Sequence, residues 1–305
     1  MSSGTEPAGF EHRRLKGSVR KALFGRSGDP TRIGRFTVLR RLGAGGMGVV
    51  YSAYDDELER KVAIKVVREE RGTDDASRER LRREALAVAK LNHPNVVSVF
   101  EVGSHDDRLF VAMEFVRGGT VRQWLAKGER SWREIRDVFV WAADGVAAAH
   151  DAGLVHRDLK PDNVMVVDGG PVRVKVLDFG LASVTRDEPN AEPPSEDEIE
   201  ATQLTVTGHV LGTPAYMPPE QRRGERVDAR GDQYALCVSL WEALHGAHPF
   251  VVDGALDRDA AKRSRPLVPR RRGVPSWLDS VVSRGMSANS EDRYPSMHAL
   301  ADALR

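Results

Sequence analysis

The sequence predicts an α+β chain in two lobes. A five-stranded, mostly antiparallel sheet with one main helix comes first, and a larger, mostly helical lobe follows. Three observations lead there. Apolar residues alternate with period two in short runs up to residue 116. Helical spacing dominates beyond it. Between the two, Gly118-Gly119 breaks both patterns and reads as a linker.

Each element has its own signal. Residues 1–35 are polar, punctuated by Gly and Pro, and basic over 13–21; they are expected to be largely disordered, with 15–24 able to form a short basic helix. Alternation and β-branched content predict strands over 36–42, 48–55 and 61–67. A helical pattern spans 77–91, and two further strands, 96–103 and 109–115, flank the turn-like 104–107. Helices are expected over 120–126 and 132–152, and 154–177 alternates short apolar runs with polar loops. Residues 232–245 are so apolar that they predict a central helix buried on most sides, and 277–285 and 296–304 close the lobe.

The bulk numbers exclude several classes. A chain of 305 residues, 40% hydrophobic and 30% charged, has a globular composition and the length for two lobes sharing a cleft. A net charge of +1 gives no global attraction to nucleic acid. The single cysteine, Cys237, sits in an apolar run; it excludes an intramolecular disulfide framework and is expected to be buried and inert. No run approaches the length of a membrane span and no signal-peptide core is present, so the visible chain is expected in the cytoplasm, without a membrane segment. The end at Arg305, just after a helical pattern, fits a module of a longer protein.

Four separated motifs carry chemistry. Gly43-Ala44-Gly45-Gly46-Met47-Gly48-Val49-Val50 fits G-x-G-x-x-G-x-V, in which glycines let backbone amides approach phosphates. A dinucleotide fold needs a helix directly after such a loop, and a P-loop needs Gly-Lys-Ser/Thr; here a strand pattern follows Gly48 instead. In Val62-Ala63-Ile64-Lys65, alternation puts Ala63 and Lys65 on one strand face, leaving room for a flat ring beside a cation that reaches phosphates. Such a lysine needs a carboxylate, and Glu84 in the 77–91 helix is preferred to Glu79.

His156-Arg157-Asp158-Leu159-Lys160-Pro161-Asp162-Asn163 supplies a base in Asp158 and, in Lys160, a cation for a transferring phosphoryl group. Asp178-Phe179-Gly180 follows, and the oxygens of Asn163 and Asp178 suit Mg²⁺, with Mn²⁺ an alternative. Asp162 reads as a structural loop residue.

These runs, spread over residues 36–305, resemble the eukaryotic-like (Hanks-type) serine/threonine protein kinases of bacteria, more finely the myxobacterial members. The resemblance implies a bilobal protein kinase-like fold, with an N-lobe over 36–116 and a C-lobe over 117–305. It implies ATP as cofactor, held by Gly43, Gly45, Gly48 and Lys65. Val50, Ala63 and Met165 would sandwich the adenine, Leu42 would flank it, and Met113 would stand as gatekeeper. Glu114 and Val116 would offer backbone groups to the adenine edge. Lys160 in this context goes with serine or threonine acceptors, and Thr213 is assigned to positioning Asp158 and Lys160.

The remaining implied roles are structural or regulatory. His156 packs on Phe179, and Val88 and Val99 extend that stack. Glu220 pairs with Arg293, and Asp232 holds the catalytic-loop backbone. Arg157 answers a phosphate on the activation segment, with Thr207 preferred to Thr205 as acceptor and Ser195 and Thr202 weaker.

The chain departs from the family pattern in places. Pro218-Pro219-Glu220 replaces the usual Ala-Pro-Glu, and Cys237 stands where glycine is frequent. Residues 187–200 hold seven acidic residues and no basic one, and read as a solvated insertion. Their alternative role is steering toward the basic stretch 258–272 of a second copy, in a transient homodimer that phosphorylates in trans. The expected partners are proteins with Ser or Thr acceptors. The competing reading, a pseudokinase scaffold, requires a missing catalytic residue, and Lys65, Glu84, Asp158, Asn163 and Asp178 are all present.

Overall fold

Period-two alternation becomes a six-stranded sheet in the computed structural model, which describes residues 31–45, 48–68, 75–106, 108–170, 173–179, 213–252, 255–257, 266–267, 271 and 273–305. Thr205, Thr207, the acidic stretch 187–200, the basic segment 15–24 and nearly all of 258–272 lie outside the described residues. The chain divides into two compact units, Met1–Glu70 with Glu101–Phe115, and Arg71–Phe100 with Val116–Arg305.

The sheet comprises β1 (Arg32–Ile33), β2 (Phe36–Gly45), β3 (Gly48–Asp55), β4 (Arg60–Val67), β5 (Val99–His105) and β6 (Arg108–Glu114), in the order β1-β2-β3-β4-β6-β5. The five expected strands are all there. The sixth, β1, falls at the end of the stretch expected to be disordered: Ile33 pairs with Phe36 across a two-residue turn and is buried with Phe36, Ile64 and Phe110. Phe36 and Phe110 meet edge to face at 6.1 Å. This satellite core fixes the sheet's inner face by ordinary apolar burial.

The second unit is helical. It holds α1 (Asp75–Ala89), α2 (Val121–Ala126), α3 (Trp132–Asp151), α4 (Pro219–Arg222), α5 (Ala229–His245), α6 (Ser276–Gly285) and α7 (Met297–Leu304). Capping boxes start α2 and α3: Thr120 pairs with Gln123, and Ser131 with Glu134. Helix α5 begins earlier than its apolar run, because Asp228 caps it by accepting from the Arg230 amide. It is buried along nearly its whole length and packs with α3, α6 and α7 around Phe139, Val146, Leu240, Trp241, Leu278 and Leu300.

Three short strands complete the frame that carries the catalytic loop: β7 (Gly118–Thr120), β8 (Val164–Val167) and β9 (Val174–Val176), in that order. Gly118 and Gly119, read from sequence as a linker, therefore form a strand just past the division at Phe115. Glycine is required there because a Cβ on Gly118 would lie 2.0 Å from the Val166 carbonyl oxygen. A two-stranded ribbon, β10 (Val251–Val252) with β11 (Ala255–Leu256), follows α5. Among the described residues, no helix is long and apolar enough to cross a membrane.

Candidate active site

The first unit supplies the glycine loop and the lysine strand. β2 and β3 pair antiparallel with Gly43 opposite Val50 and Gly45 opposite Gly48, so Gly46 and Met47, outside the described residues, join them. Gly48 has φ 144°, and a Cβ there would sit 2.1 Å from the Val66 oxygen, so the turn admits only glycine. Among the described residues, a Cβ at Gly43 or Gly45 would meet nothing within 4 Å. No described side chain or backbone crowds these glycines, as close approach of a phosphate chain would require. Leu42, beside them, is exposed.

Strand register groups the other residues. Val50 lies opposite Lys65, Ser52 opposite Ala63, Lys65 opposite Val111, and Ala63 opposite Met113. Directly paired residues share a sheet face, so Val50, Ala63, Lys65 and Met113 stand on one side. Glu114 pairs with Val62 and stands on the other; backbone groups, which the adenine role requires of it, do not depend on that. Lys65 is 3% exposed, a buried cation. Glu84 lies half-buried on α1, and Val116 is half-buried just beyond β6.

The second unit builds the chemical half from one hairpin and one helix. Val164 pairs with Val176 in β8 and β9. That register sets the residue before β8, Asn163, against the residue after β9, Leu177, whose amide donates to the Asn163 oxygen at 2.8 Å. Asp178 follows at once, with φ 61°. The two residues expected to hold Mg²⁺ thereby lie at the same end of the β8–β9 hairpin.

Around Asp158 the contacts are short. Lys160 Nζ donates to Asp158 Oδ2 at 2.8 Å. Asn163 Nδ2 donates to the Asp158 carbonyl oxygen at 2.7 Å and to Oδ2 at 3.2 Å. Asn163 thus spends its nitrogen on the loop and leaves Oδ1 for a cation. One carboxylate and one amide oxygen make a hard donor set that would suit Mg²⁺. Among the described residues, no three His, Cys, Asp or Glu side chains form a metal cage. Asp162 is turned away and accepts from Arg122 at 3.0 Å.

Asp232 organises the loop from α5. Its Oδ2 accepts from the His156 amide and its Oδ1 from the Arg157 amide, both at 2.8 Å. Burial pushes this carboxyl up, but donors from His150 and His156 outweigh it and hold the group below the usual range. Arg157 has φ 64°, a conformation that costs a non-glycine residue energy and persists only where neighbours enforce it. His156 packs on the Phe179 ring at 4.8 Å. Its Nδ1 accepts from the Asp158 amide at 3.3 Å, so Nε2 carries the proton and donates to the Leu177 oxygen at 2.8 Å. Val88 and Phe179 are buried in one apolar cluster with Val99 packed against it.

Glu220 and Arg293 form a two-pronged buried pair, 2.6 and 2.8 Å. Arg293 also donates to the backbone oxygens of Ser287 and Arg230. Thr213 opens the 3-10 turn Thr213–Tyr216, its side chain lying outside the described residues. Met165, in β8, is half-buried opposite Thr120 and Lys175. Burial pushes the Cys237 thiol up to about 12, so it is inert at neutral pH.

Two features escaped the sequence. His150, at the end of α3, brings Nε2 to 2.7 Å from Asp232 Oδ2; a histidine closing an otherwise apolar helix face was the only hint. Arg122 joins Asp162, Glu242 and the Tyr216 hydroxyl, and Tyr216 donates to Glu242 at 2.5 Å. No local pattern marks four residues that span 120 positions.

The protein kinase domain family matches residues 36–304. Serine/threonine-protein kinase PksC of Streptomyces coelicolor is 39% identical over 88% of this chain and 48% of its own length. Serine/threonine-protein kinase pkn2 of Myxococcus xanthus is 38% identical over 89% of this chain and 32% of its own. PknL of Mycobacterium tuberculosis is 37% identical over 88% and 65%. The chain thus spans between a third and two thirds of these relatives, and the myxobacterial match stands no closer than the others. Among solved structures, the Mycobacterium tuberculosis PknI kinase domain aligns with a TM-score of 0.67 and 29% identity, over 92% of this chain and 98% of that one.

Proposed function

The chain belongs to the protein kinase domain family, and we propose that it transfers the γ-phosphoryl group of ATP to serine or threonine hydroxyls of proteins, its own activation segment among them. The observation that carries this reading is the Asp158 cluster: Lys160 and Asn163 both bond the Asp158 carboxylate, beside the end of the β8–β9 hairpin from which Asp178 follows.

Each residue has a task. Gly43, Gly45 and Gly48 bring amides to the phosphates. Lys65, for which Glu84 is the assigned carboxylate, would neutralise the α and β phosphates. Val50, Ala63 and Met165 take the adenine faces, with Leu42 and Met113 beside it and Glu114 and Val116 at its polar edge. Asn163 Oδ1 and Asp178 hold Mg²⁺, with Mn²⁺ as substitute. When bound, the ion neutralises charge on the phosphate oxygens.

Asp158 Oδ2 is engaged by Lys160 and Asn163, so Oδ1 faces the acceptor hydroxyl and takes its proton. Lys160 stands ready for charge on the transferred group, and Thr213 positions both. Arg157 answers a phosphate at Thr205 or Thr207, placed by a second copy in trans. Proteins bearing Ser or Thr are the partners, and the cytoplasm, where ATP is available, is the compartment.

Labelled ATP with Mg²⁺ tests this. Wild type labels itself at Thr205 or Thr207 and labels a Ser/Thr protein substrate. Asp158→Asn loses about a hundredfold or more of that rate. Equal labelling by the variant would put the chemistry elsewhere, and no labelling by wild type, with ATP still bound, would favour the scaffold reading.

A further inference from the structure

The residue after Glu220 has no assigned role, yet it touches the catalytic loop. Helix α4 presents two consecutive side chains in different directions. Glu220 goes to Arg293, and Gln221 Nε2 donates to the Arg157 carbonyl oxygen at 3.3 Å. That oxygen belongs to the peptide linking Arg157 to Asp158. The nitrogen of the same peptide, the Asp158 amide, donates to His156 Nδ1 at 3.3 Å. One peptide group, directly before the base, is therefore held at both ends by side chains. The preceding peptide is held by Asp232 through the Arg157 amide at 2.8 Å. Between these fixed planes Arg157 keeps φ at 64°, in the left-handed region.

We propose that Gln221 is a positioning residue for Asp158: its amide fixes the plane of the Arg157–Asp158 peptide and so aims the Asp158 carboxylate. This rests on the kinase reading and deepens it. Three backbone amides leading to Asp158 donate to groups already tied down: those of His156 and Arg157 to Asp232 on α5, and that of Asp158 to His156, itself bonded to Leu177. The Arg157 oxygen accepts from the half-buried Gln221, on a helical turn that the Glu220–Arg293 pair immobilises. A rotation of that peptide would swing Asp158 away from Lys160 and Asn163 without disturbing the apolar core. The expected signature is thus a loss in turnover with the fold and ATP affinity retained.

Gln221→Met keeps length and removes the donor; Gln221→Glu keeps shape and, ionised, also has no donor. Both are expected to lower kcat about three- to tenfold, the range of one net hydrogen bond, with KM for ATP and the melting temperature at wild-type values. Hydrogen exchange on the ATP-free protein gives a readout independent of activity. The amides of Arg157 and Asp158 exchange faster in both variants, while those of α5 do not change. Wild-type kcat together with unaltered loop exchange would overturn the proposal. So would a loss of kcat matched by a global loss of protection, which would make Gln221 merely structural. If wild type transfers no phosphate, the kinase reading fails while the exchange result still decides whether Gln221 holds the loop.

Discussion

Burial decides how single side chains of the second unit titrate. His248 packs edge-on against the Tyr216 ring and accepts from the Phe250 amide at 3.2 Å. Burial pushes it down to about 4; the Ala215 backbone pulls it up less, and Arg222 and Arg122 add to the lowering. A depressed histidine stabilises the fold fully above its unfolded value of 6.5, and that contribution is lost as pH falls toward 4, because only the unfolded chain takes the proton. The loss amounts to about 3 kcal/mol across this window. His248→Asn keeps an acceptor for Phe250 and removes the titration. Denaturant midpoints measured from pH 7 to 4.5 are expected to fall more steeply in wild type than in the variant, and parallel curves would contradict this. At the same scale, Asp158, Lys160, Asn163 and Asp178 were legible because fixed spacing carries them. His150 and Arg122 were not, because their roles depend on partners 82 and 120 positions away.

Helix α5 shows how packing restricts an element. It crosses α6 where Gly285 faces Cys237: a Cβ on Gly285 would fall 2.2 Å from the Cys237 sulfur and 3.3 Å from its Cβ. The cysteine found where the family often has glycine is thus accommodated by a glycine on the neighbouring helix. Gly285→Ala is expected to cost about 1–3 kcal/mol by overpacking. Adding Cys237→Ala removes the sulfur and recovers most of that loss. Melting curves of the two single variants and the double variant test the pair; strictly additive effects would show that the two positions do not meet. Element boundaries follow the same logic. The runs 48–55 and 132–152 announced their strand and helix because burial imposes period two or 3.6 locally. β1 and β7 did not, since two or three residues carry no period; Ile33 and Gly118 take strand form from the strands they pair with.

On the scale of the whole molecule, two compact units each carry part of the proposed chemistry. The fold class was legible because the change from strand to helix patterning near residue 116 coincides with the division at Phe115. The central claim is the proposed one, that Lys65 and Asp178 both act on bound ATP. Calorimetric titration of ATP with and without Mg²⁺ addresses it directly, using wild type, Lys65→Met and Asp178→Asn. The account predicts that Mg²⁺ tightens ATP binding to wild type, that Asp178→Asn abolishes this gain, and that Lys65→Met weakens binding under both conditions. An Asp178→Asn protein that keeps the full Mg²⁺ dependence, or a Lys65→Met protein that binds ATP like wild type, would contradict it.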